Sequence, residues 1–505
     1  MAKPLDMSKF LKTIDKNKSV GRGFHDPSIW VGTGHYLLNY FISGRFDRGV
    51  PLSKFTMFAG ETGCLPKEST VYIKRGDSLS EKVTVGELKK IYENGENVSI
   101  DSPDGWVKLI NWFDKGVMDM VSIKTSSRST VCAVNHMVQL ESKLWKPASA
   151  VKVGDVLLTD TGSQEVVSVE TSDPQECYDF TVDHINHRYY GDGISSHNSG
   201  KSYICSGSMV RTCQEMGIMP VIIDTENAID EEWLLALGVD TSEDKLMKFN
   251  LAKVNDIATV MSEFIEWYKT SFDNVPKEEQ PPFLFVIDSL GMTITDNEEK
   301  QFNSGDMKGD MGIKAKQLNS LVRNTVHMIS EYNIGVVSTN HVYASQDMFS
   351  PDDKVSGGKL LEYGASILVA MKKGKDKDGS QVTGVKSKCQ VRKTRYGRPF
   401  ITTNVVISFK EGVDPYSGLI DFFVELGLMK QGGAYVSYIT KDGEELKDFK
   451  SRYKNEWLDK VMEEFDYDEY ALKSNAIAEK QIKAIEQGEE PEMGVVDEPD
   501  DVDEE

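Results

Sequence analysis

Two folds, one set inside the other, are predicted by this chain of 505 residues: an α/β unit on a mostly parallel sheet, and an all-β block that interrupts it. Three observations predict this. A phosphate-cradling sequence is cut in two, with Gly60-Glu61-Thr62-Gly63 at one edge of the block and Ser199-Gly200-Lys201-Ser202 at the other. Between the halves, short Val/Ile/Thr/Tyr stretches alternate with turn residues; outside them, apolar runs alternate with stretches of helical period. Removing residues 64–198 joins Gly63 to Ser199 and spells G-E-T-G-S-G-K-S, a complete Gly-x-x-x-x-Gly-Lys-Ser.

In the outer unit, Lys54 to Ala59 reads as a strand entering the split loop and Lys201 to Met216 as the helix leaving it. Strands follow at Met219 to Asp224, Phe283 to Asp288 and Ile334 to Thr339, apolar along their length as strands buried on both faces must be. A helix around 310 to 331 sets Leu318, Leu321, Val322 and Ile329 on one face. Once joined, the loop Gly60, Glu61, Thr62, Gly63, Ser199, Gly200 offers backbone amides to phosphates at a helix N-terminus. Lys201 neutralises β/γ oxygens and Ser202 ligates Mg²⁺. Asp288, ending an apolar strand, is placed to hold the metal's water shell, and Glu226, ending the neighbouring strand, to polarise an attacking water. ATP and Mg²⁺ are the expected cofactors.

The inner block carries strands at Thr70-Val71-Tyr72-Ile73, Val117 to Ile123 and Val166 to Val169, with turn signals Asn94-Gly95, Asp104-Gly105 and Gly162-Ser163. Its edges read Cys64-Leu65-Pro66-Lys67, then Val131 to Leu140 around His136, then Tyr178-Asp179-Phe180-Thr181-Val182, His187-Arg188-Tyr189-Tyr190 and Gly193-Ile194-Ser195-Ser196-His197-Asn198. In that order these motifs resemble an intein of the hedgehog/intein (HINT) β-fold. The block is short and resembles a mini-intein. The resemblance implies autocatalytic splicing, in which Cys64 attacks the Gly63 carbonyl to form a thioester, Ser199 takes the acyl group, and Asn198 cyclises to release the block. It further implies that His136 assists the first step, that His187 and His197 assist the asparagine step, and that Asp179 coordinates nucleophile transfer. Where the histidine motif carries Thr or Ser, this chain has Ala133, so one hydrogen bond is missing or comes from elsewhere, Asn135 being one source. Cys132 and Cys177 read as core residues.

The outer unit, through Val286-Ile287-Asp288-Ser289-Leu290-Gly291, Asn340-His341-Val342-Tyr343 through Gln346-Asp347-Met348-Phe349-Ser350, and Asp414-Pro415-Tyr416-Ser417-Gly418-Leu419, resembles the RecA-type recombinases, and among them the UvsX type of phages. That resemblance implies Glu226 as catalytic base, His341 as γ-phosphate sensor, and Lys393 and Arg395 as cations reaching a neighbouring subunit's ATP. Ala344 to Gly358, and a stretch near Thr295 to Gly312, would be DNA-binding loops; composition alone makes each a mobile surface loop. The implied output is pairing and exchange of strands between single- and double-stranded DNA in recombination, repair and replication. It would be carried by a homo-oligomeric helical filament, aided by mediator and single-strand-binding proteins, inside an infected bacterial cell. Two alternatives stand beside this reading: a RecA-fold replicative helicase, and a self-splicing element in an inactive host.

Bulk properties agree. No apolar run approaches a membrane span and no signal-peptide core opens the chain, so the sequence predicts a cytoplasmic protein with no membrane partner. Six cysteines without paired metal-ligand spacing suit a reducing compartment, which a nucleophilic thiol needs. The net charge of −22 argues against nucleic acid, yet much of it lies in Glu489 to Glu505, where no Lys or Arg occurs. Such a run is a solvated tail or a competitor of DNA for basic surface. The expected division is an oligomerisation segment at 1–30 (Phe10, Leu11 and Ile14 as anchors), the ATPase core at 31–63 and 199–430, the mini-intein at 64–198, a C-terminal region at 431–487 and an acidic, disordered tail at 488–505.

Overall fold

Six strands of the outer unit run parallel, in the order Met247–Asn250, Met219–Asp224, Phe283–Asp288, Ile334–Tyr343, Phe55–Gly60, Ile367–Gly374. Gly384–Lys393, Ile401–Ser408 and Gly412–Val413 extend the sheet antiparallel. The computed structural model describes residues 26–60, 64–76, 78–134, 136–141, 145–148, 151–183, 188–197, 201–226, 229–304, 312–343, 354–356, 358–374, 384–408 and 412–486. Residues 1–25 of the expected N-terminal segment, the acidic tail, most of the Ala344 to Gly358 loop, and Glu61, Thr62, Gly63, Asn135, His187, Asn198, Ser199 and Gly200 lie outside the described residues.

Alternation along the strands builds a core on each face of the sheet. Phe55, Met57 and Ala59 pack with Val221, Ile223, Phe285 and Ile287 under the helices Val254–Phe272 and Ile313–Ile329. Phe58, Ile222, Val286 and Val337 pack the other way, against Ile204, Met209 and the helix Tyr36–Ser43. Each such side chain taken fully from water contributes about 1.5–3 kcal/mol. The same second core runs on without a break into Val436, Tyr438, Leu458 and Ala478 of the C-terminal region.

Three elements depart from the sequence reading. The stretch from Lys201 is not one α-helix: Tyr203–Ser208 is wound as a π-helix, with Met209 N–H donating to Ile204 C=O, before Met209–Glu215 continues as α. The third apolar strand runs on to Tyr343, since Asn340, fully buried, answers its polar side chain at Ser356 C=O, 2.9 Å away. The stretch near Thr295 to Gly312 opens as a helix, Asp296–Ser304, rather than a loop. Its cause is reciprocal capping: Thr295 N–H donates to Glu298 Oε2 at 2.6 Å and Glu298 N–H to Thr295 Oγ1 at 3.1 Å.

The inner block hangs on two long antiparallel strands, Gly105–Thr125 and Gly162–Asp183, paired along their length with several bulges. Asp104-Gly105 and Gly162-Ser163 fall at hairpin turns, whereas Asn94-Gly95 ends a helix, Val85–Glu93, the one α-element among the block's described residues. Thr84 and Glu87 form its capping box, and Val85, Leu88 and Ile91 form its buried face.

Candidate functional site

The parallel order brings the ends of Phe55–Gly60, Met219–Asp224, Phe283–Asp288 and Ile334–Tyr343 to one edge of the sheet, where ligands of open α/β sheets bind. Gly60 ends its strand level with His341 and Met371. Lys201, 7% exposed, lays its stem over Gly60 and donates from Nζ to the Gly60 carbonyl at 3.3 Å. A side chain at Gly60 would meet Met371 O at 3.1 Å and Lys201 Cδ at 3.3 Å, so anything larger than glycine crowds this approach.

Asp288 is the hub. Its Oδ2 accepts from Ser206 Oγ at 2.8 Å and its Oδ1 from Thr339 Oγ1, and Ser202 hydrogen-bonds the same carboxylate. Burial, and next the Glu226 charge, push this carboxyl above the usual carboxylate range, against those three hydrogen bonds. Among the described residues no group of three or more His, Cys, Asp or Glu is arranged for a metal. Asp288 and Ser202 nevertheless offer a carboxylate and a hydroxyl, which are the donors Mg²⁺ takes beside substrate phosphates.

Glu226 is set by its neighbours. Asp224 accepts from Glu226 N–H at 3.2 Å and Ile229 N–H at 3.0 Å, and pairs with Lys248 Nζ at 3.1 Å. Thr225 staples the turn to the next strand: its Oγ1 donates to Ser289 C=O at 2.7 Å and accepts from Ser289 N–H at 2.8 Å. His341 Nε2 lies 3.7 Å from Glu226 Oε1 and 3.3 Å from Ser289 Oγ. Gly291 makes room for that ring, because a Cβ there would stand 2.8 Å from His341 Cδ2. Lys201, Ser202, Asp288, Glu226 and His341 thus gather at one place. Ser206, Thr225 and Thr339 join them unforeseen; the only advance signals were Ser206 one helical turn from Ser202 and Thr339 two residues before His341 on the same strand face.

Lys393 and Arg395 do not join them; the Arg395 charge acts on Lys54, ahead of Phe55–Gly60 and away from Gly60. Lys393 pairs with Leu368, and Leu368 with Met57, three residues short of Gly60. Its Nζ donates instead to Glu362 C=O at 2.9 Å and Tyr363 C=O at 2.8 Å, at the end of the helix Lys359–Gly364. Burial, then Arg395, lowers its pKa.

In the inner block the two edges converge. Pro66 pairs with Cys177 and Leu65 with Tyr178, so the ladder brings Cys64 level with Asp179. Both are buried, as is His136. Ala133 N–H donates to the Cys64 carbonyl at 3.2 Å, while Met137, four residues on, pairs with His197. The segment around His136 therefore holds both ends of the block. Ala133 acts there through its main chain; its methyl group packs with Cys64, Met120 and Cys177. Tyr189 was not foreseen: it is buried, 4.3 Å from Phe180 between ring centroids, and its pKa is raised well above 10.0 by burial, then by Asp179, Cys64 and Cys132. All six cysteines are buried and unbridged. No described helix is long and apolar enough to cross a membrane.

Fold and sites together define an α/β P-loop protein whose loop is interrupted by a HINT-type β-unit. The family model for the RecA N-terminal domain matches residues 190–414. The RecA protein of Chloroherpeton thalassium is 26% identical over 243 residues, 48% of this chain and 63% of its own. The recombination and repair protein of Enterobacteria phage T4 is 28% identical over 212 residues, 41% of this chain and 49% of its own. The chain thus spans less than two thirds of these two relatives. The crystal structure of the VidaL intein is 50% identical, covers 28% of this chain and 100% of its own, and superposes with a TM-score of 0.27. The inserted block is thus similar in sequence to an intein, and the chain around it matches the RecA N-terminal domain.

Proposed function

We propose that the chain is a precursor that excises residues 64–198 and joins Gly63 to Ser199, yielding an ATP-dependent DNA recombinase. The observation that carries the splicing half is the meeting of both block ends on one segment, Cys64 through Ala133 and His197 through Met137. The Cys64 thiol attacks the Gly63 carbonyl; the peptide bond breaks, its nitrogen takes a proton, and a thioester remains. Ser199 Oγ attacks the thioester and expels the Cys64 sulfur. The Asn198 side-chain nitrogen then attacks its own carbonyl, closing a succinimide and freeing the Ser199 amine, which takes the acyl group from Ser199 Oγ as an ordinary amide. His136 and His197 would move protons at the two junctions, and Asp179, level with Cys64, would coordinate nucleophile transfer.

In the spliced product, Lys201 and the joined loop would bind the triphosphate, with Ser202 and Asp288 holding Mg²⁺, which when bound neutralises charge on the β/γ oxygens. Glu226, fixed by Asp224 and Thr225, would take the proton of the attacking water, and His341, 3.7 Å from Glu226 Oε1, would sense the γ-phosphate. Similarity to RecA proteins and to the phage T4 recombination and repair protein supports recombination as the output. The test is mass measurement after expression. The expected masses are those of a 370-residue product and a 135-residue fragment, and the product should show DNA-stimulated ATPase and strand-pairing activity. A chain that stays intact under reducing conditions overturns the reading.

A further inference from the structure

Resting on that reading, we propose that Lys201, a host residue, is a positioning residue for splicing: its contact with Gly60 holds the two flanking chains together while the acyl group passes between them. The contact joins residues 141 apart in sequence, one on each side of the block, at 3.3 Å. Gly60 stands three residues before the scissile Gly63 carbonyl, and Lys201 two residues after Ser199. Chain segments of three and two residues reach at most about 10 Å and about 7 Å. A fixed Gly60–Lys201 pair therefore limits how far the Ser199 hydroxyl and the thioester can separate.

Both partners are anchored. Gly60 is locked between Met371 and His341 in the sheet, and the Lys201 helix is tied down through Ser202 and Ser206 to Asp288. The inner block positions the junctions from its side through Ala133 and Met137; the Lys201 ammonium does so from the host side. The two clamps act on different steps. Thioester formation at Cys64 draws its nucleophile and its proton donor from the block. Transfer to Ser199 is a reaction between two chains, and its rate scales with their effective concentration. When the outer clamp is lost, the thioester waits longer and is hydrolysed or captured by an added thiol, releasing residues 1–63.

The test uses the full-length precursor with Lys201→Met, which keeps the stem but removes the ammonium, and Lys201→Arg, which restores a donor. The readout is the ratio of ligated product to residues 1–63 released by added dithiothreitol. Dividing by the thiol-released fragment separates transfer from folding, since that fragment forms only from a folded, thioester-competent block. Lys201→Met should lower the ratio at least about threefold and Lys201→Arg should recover most of it. An unchanged ratio in Lys201→Met while the wild type splices overturns this inference alone. A wild type that releases neither fragment overturns the splicing reading, and this inference with it.

Discussion

Replacing Thr225 with valine tests whether the site is built as a unit. Valine keeps the shape of threonine and removes one hydroxyl, at a position 8% exposed. That hydroxyl bonds both backbone groups of Ser289, at 2.7 and 2.8 Å, and the C=O also accepts from Met292 N–H at 3.2 Å. Valine therefore leaves the buried N–H unmet, at a cost of about 2 kcal/mol. The unfolding entropy is about 2 cal/mol/K per residue, so over the 370 residues of the spliced product this lowers Tm by about 3 °C. The functional consequence is larger than the structural one. Thr225 is bonded directly to Glu226, and a base displaced by about 1 Å loses on the order of 100-fold in rate. Calorimetry and DNA-stimulated ATPase assays on the spliced protein measure the two effects, kcat falling more than KM rises. A Tm lowered as expected with kcat within about twofold of wild type would refute the claim that this staple sets the base.

The double variant Cys64→Ala, Asn198→Ala, unable to excise the block, should show no DNA-stimulated ATPase activity, because Gly63 and Ser199 never become adjacent; normal turnover would contradict the reading. Asp288→Asn removes a buried charge, so the nucleotide-free spliced protein should melt at the same or a higher temperature near neutral pH, while the Tm rise on adding ATP and Mg²⁺ disappears. Because the Asp288 pKa is raised in the fold, wild-type stability should fall as pH climbs from the ordinary carboxylate range through the raised value, and the variant should lack that slope. His35 is lowered to about 4 by burial, against its bond with Ser417, so the unfolded chain binds a proton first and stability drains away as pH falls from about 6.5 toward 4, by about 3 kcal/mol in total. Its Nδ1 accepts from Leu38 N–H at 3.0 Å, so His35→Asn, a cap that does not titrate, should flatten that limb in urea unfolding across pH.

What the sequence made legible follows from where the signal is local. Met219–Asp224 and Phe283–Asp288 appear with the predicted bounds because an apolar run ending in aspartate marks both the buried strand and its exit. The strand from Ile334 was cut short because Asn340 and His341 end the apolar run, though a tertiary partner, Ser356, keeps the backbone extended. The helix at Asp296 was readable in principle from Thr295-x-x-Glu298, a capping signal outweighed by the polar composition around it. The π-turn at Tyr203–Ser208 left no local mark. Ser206 and Thr339 left only a weak one, their spacing from Ser202 and His341: serines and threonines occur everywhere, and only the strand order brings Ser206 from the helix and Thr339 from the next strand onto one carboxylate. Asp288 and Glu226 were legible because a charge at the end of a buried strand is costly unless used, and Lys201 and Ser202 because they complete the loop motif.

Lys393 shows where a residue's place decides between two architectures. It lies two strands over from Gly60 and three residues back, which is about 10 Å along the strands and about 10 Å across them. A lysine stem does not bridge that distance, and this one is already spent on the Glu362 and Tyr363 carbonyls. If Lys393 serves a nucleotide, the nucleotide belongs to another copy, and each seat is completed across an interface. Mixing tests this. Spliced Lys201→Ala and Lys393→Ala proteins should each be nearly inactive alone. Combined in equal amounts, about one interface in four pairs an intact Lys201 with an intact Lys393, so about a quarter of wild-type ATPase should return. A mixture no more active than its parts would mean that Lys393 acts within its own chain or not on nucleotide at all, and the inter-subunit seat would have to be abandoned.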